Sequence, residues 1–189
     1  MKADPHPWAC DLSQLHAEVW TRLMRGVHDR HAPARHPTLA TVTPDGRPQA
    51  RTVVLRAADK AAGSLDIHTD LRSAKVRDVR ITPFAAVHVW DASAHLQLRL
   101  EAHVTLLTGP DVTAIWARLP AASRLSYGTT PAPGQRIAQA LDYEKVADPK
   151  SFVVLRLAVA NIEALHLGPN HRRALFDRGD NWAGTWLAP

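Results

Sequence analysis

Apolar residues near the start of the chain recur every three or four positions: Leu12, Leu15, Val19, Leu23 and Val27. That spacing draws one stripe along a helix. With Asp11 or Ser13 as its cap, the pattern predicts a helix running to about Arg30. "HAPARHP" (31–37) ends it with two prolines. The period then changes to two. "TLATVT" (38–43), the turn "PDGRP" (44–48) and "QARTVVLR" (49–56) predict a β-hairpin, followed by a loop over 57–63 and a strand "SLDIHT" (64–69). "SAKVRDVRI" (73–81) predicts a short helix stopped before Pro83, and "FAAVHVW" (84–90) a strand. The clearest pattern lies in "HLQLRLEAHVTLL" (95–107). Leu96, Leu98, Leu100, Ala102, Val104 and Leu106 alternate with Gln97, Arg99, Glu101, His103 and Thr105, so one face packs and the other carries polar groups. A helix over 109–120, a Pro/Gly-rich loop within 122–136, a strand over 151–167 and a last hairpin over 170–189 complete the pattern.

These elements predict about seven strands joined mostly by hairpins, with one helix at the start and others inserted. The expected class is α+β, mainly β: an antiparallel sheet closed as a barrel to remove its edges, with flanking helices. No linker or repeat divides the 189 residues. One domain is expected over 1–189, with the N-terminal helix in 1–33 and the barrel and inserted helices in 34–189.

Composition narrows the function classes. Hydrophobic residues make up 46%, which suits a globular core rather than a disordered chain. Lys and Arg total 23 against 18 Asp and Glu, a formal charge of +5, but the basic residues are dispersed. Nucleic-acid binding asks for a basic patch or stripe, whereas an anionic small molecule is served by a modest positive charge. Cys10 is the sole cysteine, which removes an intrachain disulfide and a cysteine-based zinc site; no metal is expected. "MKADPHPWACDLSQL" has no apolar signal core, and no apolar run reaches the ~20 residues of a membrane span. A soluble, cytoplasmic protein without membrane or nucleic-acid partners is the expectation.

Among chemical motifs, GxGxxG, GxxxxGK[ST], HExxH and GxSxG are all missing, so Rossmann, P-loop, zincin and serine-hydrolase readings lose their anchors. The interest lies in "QARTVVLR" and "HTDLRSAK". Arg51 stands in an otherwise apolar strand, which is costly without an anionic partner or a route to water. Ser73 and Lys75 stand in the first turn of the predicted helix, where free N–H groups and the dipole favour an anion. If strands 49–56 and 64–69 are neighbours, Arg51 joins Ser73 and Lys75 around one phosphate; otherwise Arg51 is an edge residue and Lys75 decorates a helix. Gln97 likewise has two readings: an amide addressing a heterocycle edge, or part of a solvated face.

Taken together, "RTVVLR", "IHTDLRSAK", "HLQLRLEAHV" and the terminal "HRRALF…W…WLAP" resemble the pyridoxamine 5′-phosphate oxidase family of FMN-binding split-barrel proteins. The resemblance runs from about Thr38 to Pro189. It implies a split β-barrel, an FMN-dependent oxidoreductase acting on a small-molecule substrate, and a homodimer with each FMN between two subunits. It implies that Arg51, Thr52, Val53 and Val54 hold the FMN phosphate and line the ring. It further implies that His68 and Thr69 touch the flavin, that Ser73 and Lys75 form the phosphate turn with Arg72 compensating for Ala74, and that Gln97 and Arg173 contact the flavin. His171 and Arg173 are the substrate-side candidates.

The departures bear on the substrate. Genuine pyridoxamine-phosphate oxidases carry an Arg-x-His element that grips the substrate. If Arg173 aligns with the flavin-contacting arginine, "PNHRRALF" supplies His171 while the Arg position falls at Pro169 or Asn170; if His171-Arg172 aligns with the preceding His-Arg pair instead, Ala174 replaces the His; and a tryptophan expected on the preceding strand is Leu165 or a neighbour. The chain thus looks more like the oxidase-related branch, with the substrate unassigned. Pyridoxamine 5′-phosphate oxidase itself, or a non-enzymatic flavin- or haem-binding protein, are the alternatives. Trp90, Trp116, Trp182 and Trp186 read as core or interface packing. The loop 128–136 reads either as a cover over a partner's flavin or as plain surface.

Overall fold

The computed structural model describes residues 5–189; the first four residues of the N-terminal stretch read above for a leader lie outside them. Helix α1 spans Leu12–His28, and Asp11 caps it by accepting the Gln14 N–H at 2.8 Å. Its stripe buries Leu15, Val19, Trp20 and Leu23 against the sheet. No helix among the described residues is long and apolar enough to cross a membrane.

Nine strands form the sheet among the described residues: β1 (Thr38–Val42), β2 (Pro48–Thr52), β3 (Leu55–Asp59), β4 (Ser64–Asp70), β5 (Phe84–Asp91), β6 (Leu96–Leu107), β7 (Phe152–His166), β8 (Arg172–Asp177) and β9 (Thr185–Leu187). Their order is β2-β1-β5-β6-β7-β4-β3, with β8 on β7 and β9 on β8. All ladders are antiparallel.

The barrel is split by β7. Its first half pairs with β4 (Ala158 opposite Ser64 through Phe152 opposite Asp70), and its second half pairs with β8 (Asn161 opposite Asp177 through His166 opposite Arg172). The β6–β7 register shifts between Glu101 and Ala102, which leaves Ala160 as the extra residue. That bulge bends the strand where it changes partner. One core fills the interior, including Leu39, Leu65, Ile67, Leu98, Leu100, Leu155, Leu157 and Ile162. A second, smaller one joins Val112, Tyr127, Phe152 and Val154, with Trp116 packed against it. The fold is therefore mainly antiparallel β with a few helices, as expected, and β6 buries Leu96, Leu98, Leu100, Ala102 and Val104 of the alternate residues that its pattern named, with Leu106 half-buried.

The structure corrects four details. The single strand expected over 49–56 breaks at Val53–Val54, where the chain leaves β1 and crosses to the other end of the sheet to pair with β4. The loop expected over 57–63 begins as strand β3. The helix expected over 109–120 is a 3₁₀ turn, Gly109–Val112, followed by α3, Thr113–Arg118, with Pro120 separating it from α4, Ala121–Arg124. Strands 49–56 and 64–69 do not pair through Arg51, since β2 pairs only with β1. Apolar alternation alone does not reveal such a sheet change, because both halves of the segment stay extended.

Candidate functional site

Helix α2 (Ala74–Ile81), not strand pairing, brings the cationic residues together. Asp78 of α2 is buried and accepts a hydrogen bond from Thr41 Oγ1 of β1 at 2.7 Å. Arg51 of β2 donates to the same Thr41 Oγ1 at 2.7 Å and to the Leu39 carbonyl at 3.2 Å, and its guanidinium lies 3.6 Å from Asp78 Oδ2. Asp78 and Lys75 are three residues apart and share a helix face, so docking Asp78 beneath β1 sets Lys75 beside Arg51. Lys75 Nζ donates to Thr69 Oγ1 at 3.0 Å. Ser73 is the N-cap residue of α2, yet its hydroxyl makes no capping bond and lies 3.4 Å from Thr69 Oγ1.

These groups line a cleft of about 380 Å³ with Thr52, Val53, Val54 and His68. Burial, and after it the positive charge of Arg51, holds the Lys75 pKa below the ordinary lysine value. Two cations facing one cavity, a hydroxyl held only by a long 3.4 Å contact to Thr69 and a helix N-terminus fit a phosphate ester: the anion would return the charge stabilisation that burial removes.

The other end of the cleft is built differently. The β3–β4 register shifts between Leu55 and Ala57, which makes Arg56 the bulged residue and turns it into the cleft. Its Nε is buried without a hydrogen-bond partner, as is Nδ1 of His68. His68 lies edge-on to Phe152, with ring centroids 5.1 Å apart. Burial, reinforced by the Arg56 charge, lowers its pKa to about 4, so the imidazole is neutral at neutral pH. Tyr127 closes this end beside Phe152 (4.9 Å). Burial raises its phenol pKa, against the lowering influence of Arg56. Ser126 and Pro133 complete the wall, so the 128–136 loop, read either as a partner's cover or as plain surface, contributes Pro133 to the cleft of its own chain.

Of the residues singled out in the sequence, Arg51, Thr52, Val53, Val54, His68, Thr69, Ser73 and Lys75 converge on this cleft. Arg72 does not line it. Its guanidinium makes a bidentate bond to Asp70 (3.0 and 2.8 Å) and donates to the Thr129 carbonyl at 3.0 Å. Gln97 and Arg173 lie elsewhere, on the sheet face turned away from the core. There Trp90, Gln97, Leu165 and Arg173 form one cross-strand row over β5, β6, β7 and β8. Arg173 pairs with Glu163 at 2.8 Å, and Glu163 also meets Arg99 at 3.3 Å. His171 and Arg173 line a separate depression of about 340 Å³ with Cys10 and Trp186.

Sequence reasoning missed Arg56, Asp70, Asp78 and Tyr127. Arg56 carried a readable signal, a second arginine ending "RTVVLR". The others depend on contacts 37 to 58 residues away, or on a loop whose packing no local pattern reports.

Comparison with known proteins places this geometry. The model of the pyridoxamine 5′-phosphate oxidase FMN-binding domain matches residues 17–108, the stretch from α1 to β6 that contains Arg51, Ser73, Lys75 and Gln97. The chain is 34% identical over 155 residues to the pyridoxine/pyridoxamine 5′-phosphate oxidase of Xanthomonas axonopodis pv. citri, covering 80% of this chain and 68% of that one. It is 28% identical over 174 residues to pyridoxine/pyridoxamine 5′-phosphate oxidase 2 of Arabidopsis thaliana, covering 83% and 87%. Among solved structures, a pyridoxamine 5′-phosphate oxidase-related, FMN-binding protein from Nostoc punctiforme superposes with a TM-score of 0.76 at 27% identity, covering all of both chains.

Proposed function

From the premise that this chain belongs to the pyridoxamine 5′-phosphate oxidase-related family of FMN-binding split-barrel proteins, we propose that it is an FMN-dependent oxidoreductase. It would act as a cytoplasmic homodimer in which the whole chain, 1–189, is one cofactor-binding unit. The observation that carries this reading is the meeting of Arg51, Thr69, Ser73 and Lys75 at one end of the cleft.

In this reading Arg51 and Lys75 hold the FMN phosphate and Ser73 donates its hydroxyl. Thr52, Val53 and Val54 flank the ring, with His68 beside it. Bound FMN supplies the hydride chemistry; the protein supplies binding, orientation and electrostatics. Arg56, Tyr127 and neutral His68 stand at the far end, where their donors suit an anionic or polar substrate. No residue of the cleft is assigned an obligatory acid–base role.

Gln97 and Arg173 face away from the core, so in a homodimer they would approach the cleft of the second subunit, with His171 on the substrate side. An exposed apolar surface towards the other end of the β5–β6 ladder, where Phe84 pairs with His103, supports that assembly. Val42, Pro48, Phe84 and Ala86 line a groove of about 460 Å³, and Phe84 is 61% exposed.

Purified protein should be yellow, release FMN on denaturation, and bleach anaerobically with NADH or NADPH if either is the donor. Colourless protein that takes up no added FMN refutes the reading. A second reading, pyridoxamine 5′-phosphate oxidase proper, draws on the names of the curated relatives. Against it stands Pro169, with Asn170, where that enzyme's substrate-gripping arginine is expected. Oxygen-dependent formation of pyridoxal phosphate separates the two.

A further inference from the structure

Arg72 sits one residue before the phosphate turn, yet its guanidinium is engaged elsewhere. Asp70, at the end of β4, is 4% exposed. It accepts from Arg72 three times: backbone N–H at 2.8 Å, Nε at 3.0 Å and Nη2 at 2.8 Å. Its second oxygen also accepts the Gly128 N–H at 3.0 Å, 58 residues away. Arg72 then donates onward to the Thr129 carbonyl at 3.0 Å. One buried carboxylate and one arginine therefore grip two successive backbone positions of the loop that carries Ser126, Tyr127 and Pro133 into the cleft. Burial pushes the Asp70 pKa up, but the bonds from Arg72 and Gly128 outweigh it and keep the carboxyl below its ordinary value.

Gly128 is part of the device. Its φ of +125° favours glycine, and a Cβ there would lie 2.1 Å from the Val146 carbonyl oxygen. A side chain here would therefore push the loop away from Val146 and Asp148. The backbone bonds Asp148 N–H to Tyr127 carbonyl (2.9 Å) and Thr130 N–H to Glu144 carbonyl (2.9 Å) hold the loop's far side.

We propose that Asp70 and Arg72 are positioning residues: they latch the 126–133 loop down so that Tyr127 walls the cleft opposite Arg56, and Arg72 takes no part in holding the phosphate. The proposal rests on the FMN reading only for its ligand readout.

The test compares wild type with Arg72→Ala, Arg72→Lys and Asp70→Asn. Affinities for FMN and riboflavin are measured in parallel, because their ratio reports phosphate contacts alone. Trypsin cleavage at Arg124 and Arg136 is followed in the ligand-free protein. The latch predicts that Arg72→Ala raises the cleavage rate about tenfold, as expected when charge-assisted bonds that close a loop are lost. FMN and riboflavin should weaken by the same factor, leaving their ratio unchanged. Arg72→Lys should recover part of both effects, and Asp70→Asn should exceed Arg72→Ala in cleavage because the Gly128 anchor also weakens. Unchanged cleavage in Arg72→Ala, or a loss of FMN affinity with riboflavin unaffected, overturns the proposal. Wild-type protein that binds neither flavin overturns the FMN reading while the cleavage comparison still decides the latch. If Asp70→Asn does not fold, Arg72→Ala, altered at a side chain 38% exposed, carries the test.

Discussion

Two ionic clusters in this molecule have the same ingredients and opposite surroundings. Behind the cleft, Asp78 is 1% exposed and serves Arg51 and, through Thr41, the β1 strand. On the outer face of β6–β8, Glu163 is 15% exposed but serves arginines that are 53% and 32% exposed. The first cluster is complete within one chain and already desolvated. The second is open to solvent, which screens it, until something covers the face. The contrast teaches that a charged cluster is costly to break only where the protein has itself removed the water.

The sharpest way to break this comparison is Asp78→Ala. It leaves the part-buried Arg51 without its counter-charge and Lys75 with Asp70 alone, and should cost about 3 kcal/mol, roughly 10 °C in Tm for a chain of this size. A melting curve unchanged by Asp78→Ala would show that water still reaches the cluster. Arg51→Ala should weaken FMN by about 1.5–3 kcal/mol, the range for a charge-assisted bond, with riboflavin nearly unaffected; equal losses in titration calorimetry would move Arg51 away from the phosphate. Next comes acidity. His68 has its pKa lowered to about 4, so the unfolded chain binds a proton that the folded chain refuses. Stability is whole above about pH 6.5 and falls as the pH drops towards 4. His68→Gln should remove a few degrees of that acid sensitivity from the thermal scan, and an identical pH profile in both proteins would contradict the burial argument. Arg173→Ala should lower FMN affinity by about 1 kcal/mol, but only at concentrations where the dimer persists; a loss that survives dilution to monomer would place Arg173 on its own subunit's cleft. Smallest of all, Glu163→Gln should change Tm by less than about 1 kcal/mol equivalent.

The sequence made the polar face of β6 and the cationic end of the cleft legible for different reasons. Strict alternation along β6 told which residues leave the core, because a strand's period of two is a local property. Ser73 and Lys75 were readable because a helix start is also local. Arg51 was readable only as an anomaly, a charge in an apolar strand; its true partner, Asp78, sits on a helix that the pattern marked but could not dock. The break at Val53–Val54 escaped because a chain that changes sheet position keeps its extended backbone and apolar character. Arg72 shows the reverse hazard. Its place next to a phosphate turn suggests a ligand residue, while its bonds run to Asp70 and Thr129.

The same break leaves a seam in the sheet. β2 and β3 are adjacent in sequence and separated only by Val53 and Val54, yet they stand at opposite ends of the strand order. Joining both into one sheet requires β1, β5, β6, β7 and β4 to be assembled between them. Closing such non-local pairings is slow because loop-closure entropy must be overcome first. The cleft lies on that seam, lined by Arg51 to Val54 and Arg56. A ligand seated there would act as a clasp across that seam, lengthening the lifetime of the folded chain by bridging the two ends of the strand order.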